Sequence, residues 1–238
     1  MNTRNDLIIS PKRVLKILAV TVLLLTVVSV VSQVYKYTIG HDRYIVDFFD
    51  LDKEWNLPTW YASTSLLFCS LLLAIIAFSL RKAKKRFFFH WIFLSAIFLV
   101  LTLDEGLAFH EQSITPLKDL FSSMGYRTAG LLYFSWVFPA AILVLIFVAV
   151  YVRFLMNLPF RTRILFVTAG AVYVGGALFM ESITGLYASY AGRENLTYAI
   201  LTNTEEVLEM VGILVFIYAL LSYIRSDLPG LRIGIGDN

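Results

Sequence analysis

The chain has 238 residues, 58% hydrophobic and 16% charged, with a mean hydropathy of +0.74. This composition excludes an ordinary soluble domain, and a formal net charge of only +3 gives no ground for a nucleic-acid partner. Cys69 is the single cysteine, so a disulfide framework is excluded as well.

Hydrocarbon about 30 Å thick requires about 20 apolar residues per helix. Six stretches meet that length: Val14–Val34, Trp60–Leu80, Phe87–Glu111, Leu131–Val152, Ile164–Tyr190 and Tyr198–Ile224. The expected fold is all-α, a polytopic membrane bundle of six transmembrane helices with residues 1–238 as one domain. The first stretch follows a basic segment as a signal peptide would. Its apolar run Ile17–Val31 is long, however, and Val30-Val31-Ser32 fits an A-x-A cleavage site poorly, so it reads as an uncleaved anchor. In the first connecting loop Ile45, Val46, Phe48, Phe49, Leu51, Trp55 and Leu57 are interspersed with carboxylates. The pattern predicts a loop at headgroup level, with Trp55, Trp60 and Tyr61 in an aromatic belt. After the third stretch, Thr115 as N-cap, Pro116 at the first position and Gly125 past the end delimit a short interfacial helix, Pro116–Met124, with Leu117, Leu120, Phe121 and Met124 on one face. Pro139 in the fourth helix is expected to free the carbonyl of Ser135, and Pro159 to stop that helix.

Lys and Arg are retained in cytoplasmic loops. With both termini inside, fourteen of the 20 basic residues are cytoplasmic, including the run Arg81, Lys82, Lys84, Lys85 and Arg86, and fourteen of the 17 acidic residues lie outside or in outer helix halves. An N-in/C-in protein of the inner (plasma) membrane follows, its basic runs serving as topology signals rather than as a binding site.

The informative feature is a set of ionisable groups inside apolar spans: Asp104, Glu105, His110 and Glu111 late in the third helix, Glu181 in the fifth, and Glu205, Glu206 and Glu209 in the sixth. At about 1.5 Å per residue, Asp104 lies about 10 Å, and Glu181 and Glu209 about 15 Å, from the outer ends of their helices. The three helices thus bring carboxylates to one layer of the outer half. A charge in hydrocarbon is costly, so such groups face the bundle interior, pair, and usually mark function. Glu181 shares its face with Gly170, Ala177, Thr184, Gly185 and Ala188, small residues that let a neighbouring backbone approach. The four groups of the third helix cannot share one centre unless that helix ends or bends there. So many carboxylates cannot all stay ionised unaided. Either protons are shared or a divalent cation holds them together, and the oxygen-rich set suits Mn, Fe, Zn or Mg. Di-metal helix bundles use two Glu-x-x-His motifs. Of the three histidines here, only His110 is at the right depth; His90 is at the opposite end, and His41 reaches the layer only if its loop folds inward.

The segments DLDKEWNLPTW, LDEGLAFHE, GALFMES and TEEVLEM resemble an uncharacterised group of bacterial multipass membrane proteins that share a DE-x4-HE segment and a later EE-x2-E segment. The likeness runs from Asp50 to Ile224, and it implies the same topology and the same acidic residues, with no activity attached. Three functions fit the residues: a metal-binding protein acting on a lipid or other membrane-soluble substrate, with Pro116–Met124 as its lid; a proton- or cation-coupled carrier using the carboxylates as a relay; and an accessory subunit whose carboxylates pair with a partner's cations. Beyond Lys16, the cytoplasmic helix halves carry no charge outside their last turns, which leaves half of a carrier's path missing.

Overall fold

The computed structural model describes residues 10–40, 43–126 and 128–228, and among these the chain is helical without a strand. Nine α-helices follow one another: α1 (Pro11–Thr38), α2 (Arg43–Phe49), α3 (Leu57–Lys82), α4 (Phe88–Leu107), α5 (Phe109–Ser123), α6 (Val137–Met156), α7 (Phe160–Val174), α8 (Glu181–Ala191) and α9 (Leu196–Asp227). A π-helical segment, Gly175–Met180, joins α7 to α8, making Phe160–Ala191 one span. With it, six helices among the described residues are long and apolar enough to cross a membrane, and the chain is an integral, multipass membrane protein. His41 lies outside the described residues.

The centre of the bundle is α3 with α9. About half of each apolar window is buried there, against 17% in the other four spans, which turn most of their surface outward. At the end of the bundle that carries the basic loops the core is mainly aliphatic and aromatic: Leu73 and Ile76 of α3, Trp91 of α4, Phe154 of α6 and Ile217 and Leu220 of α9 pack together. Small hydroxyl residues draw α3 against α4. Ser70 and Ser95 each donate to the other's carbonyl at 2.8 Å, and Ser63 donates to the carbonyl of Thr102 at 3.0 Å. Asn56 caps α3 by accepting from the Thr59 amide at 3.2 Å, and Asn195 caps α9 by accepting from Tyr198 at 2.9 Å.

Several expected boundaries are corrected. The third span ends at Leu107, not Glu111, because Ala108 adopts left-handed backbone angles (φ 54°, ψ 41°) that no α-helix continues through. The next helix starts at once, at Phe109, so Thr115 is not its cap and Pro116 lies inside it. The helix absorbs that proline at the loss of one amide donor. The fourth span starts at Val137, which places Pro139 in the first turn, where amides have no helical partner in any case. Ser135 precedes the helix, so its carbonyl is not one that Pro139 frees. Pro159 does not stop α6, which ends at Met156; it caps the start of α7.

The first connecting loop does not lie at headgroup level. Leu51 packs with Val22 of α1 and with Met210 and Leu214 of α9, and its amide donates to Ser29 Oγ at 3.2 Å. Val22 is about 24 Å along α1 from the end at Thr38, so the loop enters the bundle. Irregular backbone survives at such depth only where protein satisfies it. Asn56 does much of this: its Nδ2 donates to the carbonyls of Asp47 (3.1 Å) and Asp50 (2.6 Å), while Thr59 donates to that of Lys53 (3.1 Å). Trp55 and Trp60 stay exposed. Tyr61 instead turns inward and donates to the carbonyl of Leu18 at 3.2 Å.

Candidate functional site

The break at Ala108 builds the first wall of the site. It leaves the amides at the start of α5 without helical partners, and Asp104 reaches across the elbow to satisfy one. Its Oδ1 accepts from the His110 amide at 2.9 Å, and its Oδ2 lies 3.0 Å from His110 Nδ1. One carboxylate therefore caps a helix and fixes a ring. The pairing places a proton on Nδ1 and leaves Nε2 directed away from Asp104. Burial disfavours the charged ring, but the hydrogen bond and charge of Asp104, with Glu54 and Glu105, outweigh it and push His110 up to about 9. The elbow also lets side chains that a straight helix would splay apart share one site.

The second wall is the π-helical segment. A Cβ on Gly176 would lie 2.8 Å from both the Glu205 carbonyl oxygen and Glu209 Cγ, so only glycine lets this turn rest on α9. π-turns shift the faces of the helix that follows and recur at functional sites. Beyond it, Thr184, Gly185 and Ala188 are buried on the side of Glu181, as their shared face predicts. Gly170, before the turn, is exposed with nothing near its missing Cβ. The expectation that it shares the close contact is corrected, because the wider turn changes the register between it and Glu181. Glu181 itself accepts from Trp136 Nε1 at 3.1 Å, and the Trp136 ring lies 5.0 Å from that of His110.

These walls meet at α9. Glu209 lies within the fields of Glu105, His110 and Glu181; Glu206 within those of Glu209, Glu105, Asp52 and Glu54; and Glu205 beside Glu181. Glu205 is only 6% exposed, and its Oε2 has no hydrogen-bond partner. Seven of the eight groups singled out in the sequence thus form one acidic cluster, the chamber, each within reach of another's charge. The eighth, Glu111, is exposed at its rim, with its charge acting on Asp52 and Glu54. Among the described residues, no three His, Cys, Asp or Glu side chains stand in a metal-ligating arrangement.

Sequence reasoning missed the contribution of the inserted loop. Asp52 and Glu54 join the chamber from Leu51's neighbourhood. Burial, then the charge of Glu111 with that of Asp104 and against that of His110, pushes Glu54 up to about 7, and its Oε2 is buried without a partner. Enclosure, reinforced by Asp50, Glu111 and Glu181 and opposed by Arg193, pushes Asp52 well above the usual carboxylate range; its accessible surface opens towards water, which tempers that push. Arg193 rests at the mouth, 4.8 Å from the Phe134 ring and 5.2 Å from that of Tyr133, with Lys118 4.4 Å from Tyr133. Tyr173 and Trp136 were missed too. The mixture of carboxylates and apolar residues in DLDKEWNLPTW was the available signal, since a loop that only skims headgroups has no use for a buried leucine between two acids.

The chain belongs to the family described as "Domain of unknown function (DUF8692)", whose model matches residues 17–224. No curated protein and no solved structure matches it.

Proposed function

We propose that this member of the family binds a divalent cation, Mn, Fe, Zn or Mg, in the acidic chamber and acts with it on a lipid or other membrane-soluble substrate. One observation carries the reading: carboxylates from α4, α9 and the inserted loop converge on Glu206, and next to it Glu205, beside Glu181 of the π-linked span, has a buried Oε2 without a partner. An unpaired buried oxygen is costly, and a cation drawn into the chamber removes that cost. Asp104 holding His110 by Nδ1 is the pairing by which carboxylates orient metal-ligating histidines. His110 must shed its extra proton to ligate, and the carboxylates must shift inward, because among the described residues no three groups are in place beforehand. Metal binding and local rearrangement are therefore coupled. By the charge asymmetry of the loops, the basic end faces the cytoplasm and the chamber opens to the outer leaflet.

Metal analysis of detergent-purified protein, with thermal melting in chelator and in each added ion, tests the reading. One ion should raise the melting temperature by mass action, and Glu205→Gln and Glu209→Gln, which keep shape and remove charge, should abolish the rise. Variants that respond as the wild type does would leave proton sharing, and with it the carrier, as the better account. Reporter fusions at Lys84 and Asn157 should read cytoplasmic and those at Ser122 and Asn195 external; the reverse readings would turn the chamber to the other leaflet.

A further inference from the structure

At the end opposite the acidic chamber, two loops distant in sequence bring cations to one cleft. Arg86 comes from the turn between α3 and α4, and Arg153 from the last turn of α6; with His90 they line a cavity of about 470 Å³. Retention of positive charge in cytoplasmic loops accounts for these arginines being at this end, but not for their convergence. The lining carries no carboxylate, and neither arginine forms an ion pair among the described residues. The Arg86 guanidinium stays 5.0 Å from the Phe87 ring. The His90 ring stacks on Phe154 with centroids 5.5 Å apart, and its nitrogens make no hydrogen bond within the described residues, although Tyr151 anchors the His90 carbonyl at 3.0 Å. Val150 and Met156, 56% and 67% exposed, line the cleft on either side of Arg153, with Val150 about one turn further from the helix end.

We propose that this cleft binds an anionic phospholipid, its phosphate between Arg86 and Arg153 beside His90 and an acyl chain leaving it past Val150, towards the middle of the span. Guanidinium groups match phosphate oxygens in geometry as well as charge, and basic pockets between transmembrane helices bind such headgroups. The exposed Val150 selects a lipid over a soluble phosphate, because only a lipid covers it. The full chain in detergent, titrated with phosphatidylglycerol, phosphatidylcholine or inorganic phosphate and read by native mass spectrometry and melting temperature, tests this. Phosphatidylglycerol should be retained and stabilise, and the other two should not. Arg86→Gln with Arg153→Gln should weaken retention by about thirtyfold, while Lys82→Gln with Lys85→Gln, near the same turn but outside the lining of the cleft, should weaken it far less. Equal losses in both pairs would reduce the effect to diffuse surface charge, and equal stabilisation by inorganic phosphate would remove the lipid from the proposal; either overturns it.

Discussion

The two ends of this bundle solve opposite packing problems. At the basic end, Trp91 stacks on Tyr223 and meets Phe154 and Phe166 edge-on, so the helices are joined by close-packed rings with no buried carboxylate among them. At the acidic end, an elbow, a π-turn resting on α9 and an inserted loop aim side chains at one another, and what they bring together is charge. The contrast teaches that stability and chemistry are divided along the axis. The apolar end supplies the cohesion that the acidic end forgoes, as sites that store unfavourable contacts require of their surroundings.

The sharpest way to break this division is Trp91→Ala. Trp91 is 1% exposed, and truncating a buried aromatic costs about 3–5 kcal/mol. Thermal melting in detergent should show that loss, while any metal-dependent rise survives in whatever fraction stays folded; loss of the rise at a temperature where the variant is still folded would mean that the two ends are not separable.

A smaller effect belongs to the seam between the halves. Gly176→Ala forces a methyl against the Glu205 carbonyl and Glu209 Cγ, each 2.8 Å away, and overpacking of this kind costs about 1–3 kcal/mol. Gly170→Ala, exposed and unobstructed, should be neutral or slightly stabilising. If both variants melt alike, the π-turn does not rest on α9 as described.

The smallest effect is a tilt with pH, confined to the acidic end. In chelator, Glu54 is raised from 4.5 to about 7 and His110 from 6.5 to about 9, so both bind more protons folded than unfolded. Stability is then greatest in acid and falls as pH rises, first through the Glu54 window and then through that of His110. Glu54→Gln should flatten the lower part of the fall and His110→Gln the upper. Saturating metal should oppose the tilt, since ligands must be deprotonated. A wild-type profile in chelator that rises from mildly acid to mildly alkaline pH would contradict the raised values.

What could be read from the sequence was whatever repeats or costs too much to be accidental. Six apolar runs announce six spans, and carboxylates such as Glu181 and Glu209 within them announce an interior. Local backbone decisions were not legible. Ala108 is a strong helix former by propensity, yet it breaks the helix because Asp104 can reach the amides beyond it. The depth of Leu51 depends on Ser29 and Asn56, which are distant in sequence and belong to no pattern. Prolines misled for the same reason: Pro116, Pro139 and Pro159 mark starts or interiors according to where the flanking helices are nucleated, which neighbours decide.

The π-turn at Gly175–Met180 has a consequence for how this chain can change. Side chains along α8 can be exchanged one at a time while Glu181 keeps its bearing. Removing a single residue from that turn is a different event: an ordinary helix would close, and everything after it would swing by roughly 100° about the axis. Glu181, Thr184 and Gly185 would leave the chamber together. The site's alignment is thus carried by a count of residues, and a lineage that lost one there would keep its composition and hydropathy while parting with a wall of its chamber.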